Sequence, residues 1–245
     1  MLAYRVIARL DIKGPNLIKG IQYEGLRVLG KPADFAKKYA EEGADELLYL
    51  DTVASLYGRN QLESLIEETS DKVFIPITIA GGIQKEVGHF FRLGADRLAI
   101  NSAAVRWPDI VSSISQNYGC QALTVSIEAK RINGGWEAYI NGGREKTGKD
   151  ALRWAEEAVK LGAGEILITS IDRDGTRRGP DLDLLKTIQV DVPLVYSGGI
   201  RLQDVAEVAQ YTQGMAVGAS LHYGDCTISQ IKQELQRAGK DVRLT

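Results

Sequence analysis

QALTVSIEAKR at residues 121–131, with an earlier echo, YRVIARLDIK at residues 4–13, decides how this chain folds. In each stretch an apolar run ends in a carboxylate, Asp11 or Glu128, which is followed after one residue by a lysine. Short apolar runs rich in β-branched residues are typical of buried strands in a parallel sheet. The two stretches lie about half a chain apart, which indicates a repeated architecture.

Apolar runs of this kind alternate with helical patterns along all 245 residues. We predict strands near 4–11, 46–51, 74–80, 96–101, 121–128, 165–170, 192–197 and 214–218. We predict helices near 32–43, 59–70, 84–93, 107–118, 149–162, 181–189, 202–211 and 227–238. Eight such units in this length are the signature of a (β/α)8 TIM barrel, here one domain over residues 1–245. The alternative is an open doubly wound sheet, which would normally carry a glycine-rich fingerprint after its first strand, and none is there.

The two halves of the sequence match each other at a nearly constant offset. LVYSGGI at 194–200 matches ITIAGGI at 77–83, and EGADE at 42–46 matches LGAGE at 161–165. We therefore expect two duplicated half-barrels, residues 1–120 and 121–245, related by a pseudo-twofold axis. In that arrangement Asp11 and Glu128 occupy equivalent positions.

Composition excludes several classes of function. The formal net charge is −2, and the sequence has no basic cluster interleaved with aromatics, so we expect no nucleic-acid partner. No apolar run is long enough to span a membrane, and no signal peptide is present, so we expect a cytoplasmic protein. Cys120 and Cys226 lack metal or redox spacing, and His89 and His222 are the only histidines, so we expect no metal and no cofactor.

Two connections are unusually long, residues 12–31 and residues 129–148. Both follow a strand that ends in a carboxylate. Long loops inside a compact domain are usually functional, so we predict that both cover the C-terminal mouth of the barrel. The alternative is a flexible excursion without a role.

The strand ends supply the candidate catalytic groups. Asp11 and Glu128 should face each other across the mouth, and carboxylates so placed can divide the roles of acid and base. The alternative is that each pairs with its nearby lysine, Lys13 or Lys130. Asp51 and the segment 169–176 (TSIDRDGT) belong to the same rim, either as polar substrate contacts or as turns stabilised by aspartate side chains.

Glycine-rich turns predict two anion sites. The turns follow strands 3, 4, 7 and 8 as Ala80-Gly81-Gly82-Ile83, Asn101-Ser102, Ser197-Gly198-Gly199-Ile200 and Gly218-Ala219-Ser220. Exposed backbone N–H groups and a hydroxyl form a phosphate cradle. Two cradles on opposite sides of one mouth predict an elongated substrate phosphorylated at both ends. Tight turns without a ligand are the alternative.

Charged residues begin four strands at the opposite end of the barrel: Arg5, Glu46, Arg97 and Glu165. Surface ion pairing is the ordinary explanation. If the four side chains point into the bore, they form a charged plug at its bottom.

Taken together, ARLDIKGPNLIKG, LDTVAS, AGGI, GADRLAINSAAV, SIEAKR, GAGEILITSIDRDGT, SGGI and GASLHY resemble the cyclase subunit family of imidazole glycerol phosphate synthase from end to end. The resemblance implies a (β/α)8 barrel that takes ammonia from a separate glutaminase subunit at the N-terminal face of the barrel. It implies cleavage of a doubly phosphorylated ribulosyl-formimino aminoimidazole carboxamide nucleotide into imidazole glycerol phosphate and an aminoimidazole carboxamide nucleotide.

The resemblance also implies roles for individual residues. Asp11 and Glu128 fall on the catalytic positions, Asp96 on an acidic position of the glutaminase interface, and Lys19 and Thr169 near the substrate. The phosphate positions match Gly82, Asn101, Ser102, Asp174, Gly175, Gly199, Ala219 and Ser220. The ammonia gate matches Arg5, Glu46, Arg97 and Glu165, with Arg97 in place of the usual lysine.

Two residues depart from the family pattern. The second catalytic acid is Glu128 rather than aspartate, and Arg9 stands where the family has cysteine. Strand alternation puts Arg9 on the same inward face as Asp11. Because an unpaired buried charge is very costly, we predict that Arg9 pairs with Asp11 or Glu128 and lowers the pKa of its partner.

Three functions remain open at this stage. The first is the family's ammonia-dependent cyclase, working with a glutaminase. The second is a divergent paralogue that channels ammonia to another acceptor, for example in amidine formation on a sugar. The third is a barrel without catalysis that only binds and activates a glutaminase.

Overall fold

The computed structural model describes residues 3–54, 62–70, 72–83 and 87–243. The strands are β1 (Arg5–Lys13), β2 (Asn16–Ile21), β3 (Glu24–Gly30), β4 (Glu46–Asp51), β5 (Ile77–Ala80), β6 (Arg97–Ile100), β7 (Leu123–Ile132), β8 (Gly135–Ile140), β9 (Glu145–Asp150), β10 (Glu165–Ser170), β11 (Leu194–Ser197) and β12 (Gly214–Val217). Eight of them run parallel in the order β10–β11–β12–β1–β4–β5–β6–β7, and β7 pairs with β10 to close the barrel. The predicted (β/α)8 fold is confirmed.

Helices lie between the strands at Pro32–Glu41, Leu62–Ser70, Gly88–Arg92, Ser102–Arg106, Asp109–Tyr118, Ala151–Lys160, Leu182–Thr187, Val205–Tyr211, Ala219–His222 and Ile228–Arg237. Most bounds differ from the prediction by a few residues. The helix predicted at 107–118 is found at Asp109–Tyr118, and a short helix before it, Ser102–Arg106, was not predicted. Pro108 lies between the two, because proline has no N–H and is favoured only where a helix starts. Parts of the helices predicted at 59–70 and 84–93 lie outside the described residues. Within the described residues, no helix is long and apolar enough to cross a membrane.

The two long connections predicted at 12–31 and 129–148 are ordered strands rather than loops. The first segment folds as the antiparallel strands β2 and β3, which continue β1, and the second as β8 and β9, which continue β7. The chain turns from β1 into β2 at Gly14 and from β7 into β8 at Gly134, and both glycines have positive φ. Backbone hydrogen bonds then pair the strands on either side of each turn. Both hairpins are therefore ordered extensions of the strands that bear Asp11 and Glu128.

Two apolar regions hold the barrel together. The larger lies between the strands and the helices, and the smaller fills the bore with Ile7, Leu48, Ala80, Ala99, Leu167, Val195 and Ala216. Several of these bore residues are small, as the narrow interior requires. At the periphery, a buried ion pair joins Lys232 Nζ to Asp45 Oδ1 at 2.8 Å. The apolar layer of the bore separates two polar regions, one at each end of the barrel.

Candidate active site

A buried cluster of four charges occupies the C-terminal end of the bore. Arg9 Nε donates to Asp11 Oδ1 at 2.7 Å, and Lys19 Nζ, carried in by strand β2, donates to Asp11 Oδ2 at 2.5 Å. Lys19 Nζ also lies 3.1 Å from both carboxylate oxygens of Asp174, and Arg9 Nη1 lies 3.4 Å from Asp174 Oδ1. Two cations and two anions make the cluster neutral.

Arg9 is held by neutral partners as well. Its Nη1 donates to Ser197 Oγ and its Nη2 to the hydroxyl of Tyr23, each at 3.1 Å. The predicted pairing of Arg9 with Asp11 is confirmed, and the partner is not Glu128. Burial alone would raise the pKa of Asp11, but the adjacent Arg9 and Lys19 cations outweigh burial and hold this pKa at about 2. Asp11 is thus a carboxylate anion at any physiological pH.

Glu128 has the opposite environment. Burial raises its pKa to about 7, although the Gly143 amide, which donates to Oε2 at 2.7 Å, opposes the shift. Glu128 faces the pocket that also contains Ser126, and it pairs in register with Thr169 of β10. A carboxyl with this pKa can both give and take a proton near neutral pH. The two acids are therefore distinct in charge state.

The first of two pockets at the mouth has about 770 Å³ of space and is lined by Gly82, Asn101, Ser102 and Glu128. Gly82 has φ +64°, and a Cβ there would lie 2.5 Å from the Cβ of Ala54, so glycine is required. Asn101 Nδ2 donates to the Tyr139 carbonyl at 3.1 Å, which ties hairpin β8–β9 to this pocket. The predicted first cradle is thus assembled beside one catalytic candidate.

The second pocket, with about 260 Å³ of space, lies at the ends of β11 and β12. It contains the remaining predicted phosphate residues, Asp174, Gly175, Gly199, Ala219 and Ser220. A Cβ on Gly199 would lie 2.4 Å from the carbonyl oxygen of Gly179, so only glycine allows this close approach. The Arg9–Asp11 pair and Lys19 lie beside this pocket through their contacts with Ser197 and Asp174.

The four predicted gate residues form a ring at the bottom of the bore. Arg5 pairs with Glu46 at 2.9 Å and with Glu165, and Arg97 Nη1 lies 3.3 Å from Glu46 and 3.2 Å from Glu165. Thr124, on the inward face of β7, donates to Glu165 Oε1 at 3.0 Å. The charges alternate in sign and the carboxylates are buried. The side chains therefore point into the bore.

Other predicted residues have more local roles. The Asp51 carboxylate accepts from the amides of Val53 and Ala54 at 3.0 and 2.9 Å, as expected of a turn stabilised by aspartate. The alternative in which each acid pairs with the lysine two residues later is not what the described residues show. Asp11 pairs with Arg9 and Lys19, and Glu128 accepts from the Gly143 amide, while Lys130 Nζ lies 5.5 Å from the centroid of the Tyr139 ring. Asp96 is exposed and accepts from the Ile77 amide at 2.8 Å.

Tyr23 is a site residue that the sequence did not indicate. It stands in the β2–β3 turn with φ +63°, which an aromatic residue rarely adopts, and its side chain is buried against Tyr139 and Ile171. A Gln-Tyr pair carries none of the turn signals of Asn or Gly. Among the described residues, no cluster of three or more His, Cys, Asp or Glu side chains could hold a metal ion.

Comparison with known proteins bears on this site. Residues 5–227 match the family described as histidine biosynthesis protein. A protein of Legionella pneumophila named imidazole glycerol phosphate synthase subunit HisF is 53% identical over 201 residues, which cover 80% of this chain and 95% of that relative. Relatives of the same name from two Bacillus cereus strains, ATCC 10987 / NRS 248 and G9842, are 44% and 43% identical over the full length of both chains.

Proposed function

The chain belongs to the histidine biosynthesis protein family, as an enzyme of the cyclase-subunit type, and on this premise we propose how its barrel carries out the reaction. The substrate is a ribulosyl-formimino aminoimidazole carboxamide nucleotide with a phosphate at each end. Ammonia is added to it, and the products are imidazole glycerol phosphate, an aminoimidazole carboxamide nucleotide and the water released when ammonia condenses with the carbonyl. The observation that carries the proposal is the pair of glycine-lined pockets that flank Asp11 and Glu128.

The geometry suits an elongated substrate. Each pocket would offer backbone amides to one phosphate. A serine lines each pocket, Ser102 in the first and Ser220 in the second, and Ser220 Oγ, which donates to the Ile200 carbonyl, would have to turn to donate to a phosphate. The reacting centre of the substrate would then lie between the pockets. Lys19 and Thr169 border that space, together with the two acids.

The two acids take different parts in the proposed chemistry. Glu128, whose pKa is about 7, moves protons, because it can be protonated or ionised at working pH. Asp11, whose pKa is about 2, remains an anion and stabilises positive charge that develops when ammonia condenses with the ribulosyl carbonyl. As long as Arg9 and Lys19 stay in place, Asp11 is a weak general base. None of the proposed steps draws on a metal or an organic cofactor.

Ammonia is proposed to enter from the N-terminal face, where a glutaminase subunit would bind to form a heterodimer. The ring of Arg5, Glu46, Arg97 and Glu165 would act as the gate, and the apolar layer above it would favour neutral ammonia over ammonium. Two features of this face support a protein partner. Phe74 is 91% exposed, and Asp96, next in sequence to the ring residue Arg97, is exposed as well. Such a complex would work in the cytoplasm.

Arg9 favours a second candidate function. Its guanidinium sits directly above the apolar layer and neutralises Asp11, which would slow the family reaction and leave delivery of ammonia to another acceptor as the main role. In that case the barrel would still bind and stimulate a glutaminase.

One assay tests both candidates. Purified protein is mixed with an ammonium salt and the nucleotide substrate, and release of the aminoimidazole product is followed. Turnover that is abolished in Asp11→Asn supports the cyclase. Absence of turnover in the unaltered protein, with stimulation of a glutaminase in a mixed complex, would overturn the cyclase in favour of the second candidate.

A further inference from the structure

Each pocket at the mouth is also lined by one arginine, in addition to the residues described above. Arg106, at the end of the helix Ser102–Arg106, lines the first pocket beside Asn101 and Ser102. Arg177, in the loop after β10, lines the second pocket beside Gly175 and opposite Gly199. The two side chains are 39% and 43% exposed, so their guanidinium groups reach both solvent and pocket.

The charges of the site show why these arginines matter. The cluster between the pockets is neutral, because Arg9 and Lys19 are balanced by Asp11 and Asp174. The second pocket is itself lined by the Asp174 carboxylate. Because Arg9 and Lys19 already balance Asp11 and Asp174, the neutral cluster would give a phosphate dianion in this pocket no net attraction, and the Asp174 carboxylate would repel it at close range. A further cation beside the pocket would therefore favour binding. Backbone amides alone supply only partial charges.

Carboxylates on the outer side hold both arginines at the rim. Arg177 Nη1 lies 2.9 Å from both carboxylate oxygens of Asp225, and its guanidinium carbon lies 4.8 Å from the centroid of the Tyr223 ring. Arg106 Nη2 lies 3.2 Å from Asn141 Oδ1 and 3.5 Å from Glu145 Oε2. In the described part of the chain these contacts engage one terminal nitrogen of each guanidinium, which leaves other N–H groups of the five-donor fork for a ligand.

We infer that Arg106 and Arg177 are the cationic parts of two phosphate sites, so that a substrate phosphorylated at both ends is clamped between two arginines. The planar guanidinium suits bidentate binding of a phosphate, and the outer carboxylates fix its position before the ligand arrives. Arg106 further couples the first site to hairpin β8–β9, because its partners Asn141 and Glu145 lie in that hairpin. The identity of the substrate rests on the proposed function, whereas the binding of phosphate does not.

The first test uses inorganic phosphate and needs no turnover. Backbone amide signals of Gly82 and Gly199 report the two pockets during a titration followed by NMR. We expect Arg106→Gln to weaken phosphate binding at the first pocket by about tenfold or more, and Arg177→Gln at the second, since a charge-assisted hydrogen bond is lost. Each variant should leave the other pocket unchanged.

The matched control is Arg144→Gln, which removes the same charge from the exposed end of hairpin β8–β9. Arg144 donates to the carbonyls of Asn141 and Gly142, and its side chain does not line either pocket. If Arg144→Gln weakens phosphate as much as the other two variants do, the effect is one of net charge and the inference is wrong. Unchanged affinity at both pockets in Arg106→Gln and Arg177→Gln would also overturn it.

The second test uses the two reaction products as inhibitors. Because each product keeps one phosphate, Arg106→Gln should raise the inhibition constant of one product and Arg177→Gln that of the other, with KM raised in both variants and kcat little changed. If the protein lacks turnover, the proposed function fails while the phosphate titration still decides the inference. Turnover with KM unchanged in both variants would defeat the inference and leave the proposed function standing.

Discussion

Arg9 and Asp11, two residues apart on the inward face of β1, form an ion pair of 2.7 Å in which both side chains are almost completely buried. The pair lies where the proposed catalytic carboxylate, Asp11, adjoins the apolar layer of the bore. Its main consequence is electrostatic, because it separates the charge states of Asp11 and Glu128. Five predictions follow from this pair and from the other charged residues described above.

Replacing Arg9 with methionine, which is apolar and of similar length, should raise the pKa of Asp11. Burial would then be opposed by Lys19 alone, so the pKa should move up from about 2. Because the folded pKa of Asp11 lies below its unfolded value of about 3.9, the carboxylate stabilises the fold above that value and loses this effect as pH falls toward 2. In Arg9→Met the folded pKa of Asp11 lies closer to its unfolded value, so the loss of stability as pH falls from about 5 to about 2 should be smaller than in the unaltered protein. Carbon-13 NMR of the carboxyl groups measures the pKa, and Arg9→Lys, which keeps a cation, should shift it less.

Glu128 should show the opposite linkage. Its folded pKa, about 7, lies above the unfolded value of about 4.3, so the folded state binds more protons and loses stability as pH rises between these values. Glu128→Gln removes the titration. Between pH 5 and pH 8, the unfolding free energy of the variant should therefore gain roughly 2 kcal/mol relative to the unaltered protein. Denaturant unfolding at both pH values provides the measurement, and a constant difference would argue against a raised pKa.

The pH dependence of the catalytic rate should also depend on Glu128. If Glu128 moves the proton, the pH profile of kcat has a limb near 7, and this limb disappears in Glu128→Gln along with most of the rate. Glu128→Asp retains a carboxyl one methylene shorter, which restores the family's residue type. That variant should keep the limb, whereas a profile unchanged in Glu128→Gln would assign proton transfer to another group.

Arg97 should affect use of glutamine more than use of free ammonia. In a complex with a glutaminase, Arg97→Leu leaves Glu46 and Glu165 with Arg5 as their remaining partner in the ring and disturbs the alternation of charges at the bottom of the bore. We expect the glutamine-dependent rate to fall by roughly tenfold, a change of about 1.4 kcal/mol, relative to the ammonium-dependent rate. Arg97→Lys should behave nearly as the unaltered protein. If the glutamine-dependent and ammonium-dependent rates fall equally, the substitution affects folding or catalysis rather than the entry of ammonia through the ring.

The buried ion pair between Lys232 and Asp45 should be a strong determinant of stability. Lys232→Met leaves Asp45 buried without its cation, although the Val6 amide still donates to Oδ2 at 2.8 Å. Loss of one partner of a buried pair typically costs about 3–5 kcal/mol. Thermal unfolding measures the effect. Lys38→Met is the control, since its ion pair with Glu42 is on the surface at 3.8 Å and should contribute less than about 1 kcal/mol.

The barrel could be predicted because its strands are buried on both faces, and such strands appear in the sequence as continuous runs of apolar residues. Strands of a closed parallel sheet, such as β4 and β10, are continuous apolar runs, and their predicted bounds match the observed ones. Strands β2, β3, β8 and β9 left no such record: β3 and β9 are largely exposed, and the buried parts of β2 and β8 are short. Their pairing depends on backbone hydrogen bonds and on turns, which the identities of the side chains specify only weakly.

The site was predictable in part for a similar reason. The ion pair of Arg9 follows from strand alternation and the cost of an unpaired buried charge, both of which are local rules. The contact of Lys19 with Asp174 joins residues 155 apart in the chain. This contact and that of Tyr23 with Arg9 exist only once hairpin β2–β3 has folded back over the bore. No local pattern in the sequence reports a contact of that kind.

Strand β7 passes without interruption from one end of the molecule to the other. Thr124, near the start of β7, donates to Glu165 in the charged ring, and Glu128 lies four residues further on. The far end of β7 continues into the hairpin whose Gly143 amide donates to Glu128. Four residues of extended strand span about 13 Å, and neighbours on both sides make the strand stiff. The backbone of β7 therefore fixes the distance between the charged ring, where ammonia would enter, and Glu128, the acid that ammonia would reach. Changing the side chains that fill the bore would leave this distance unchanged.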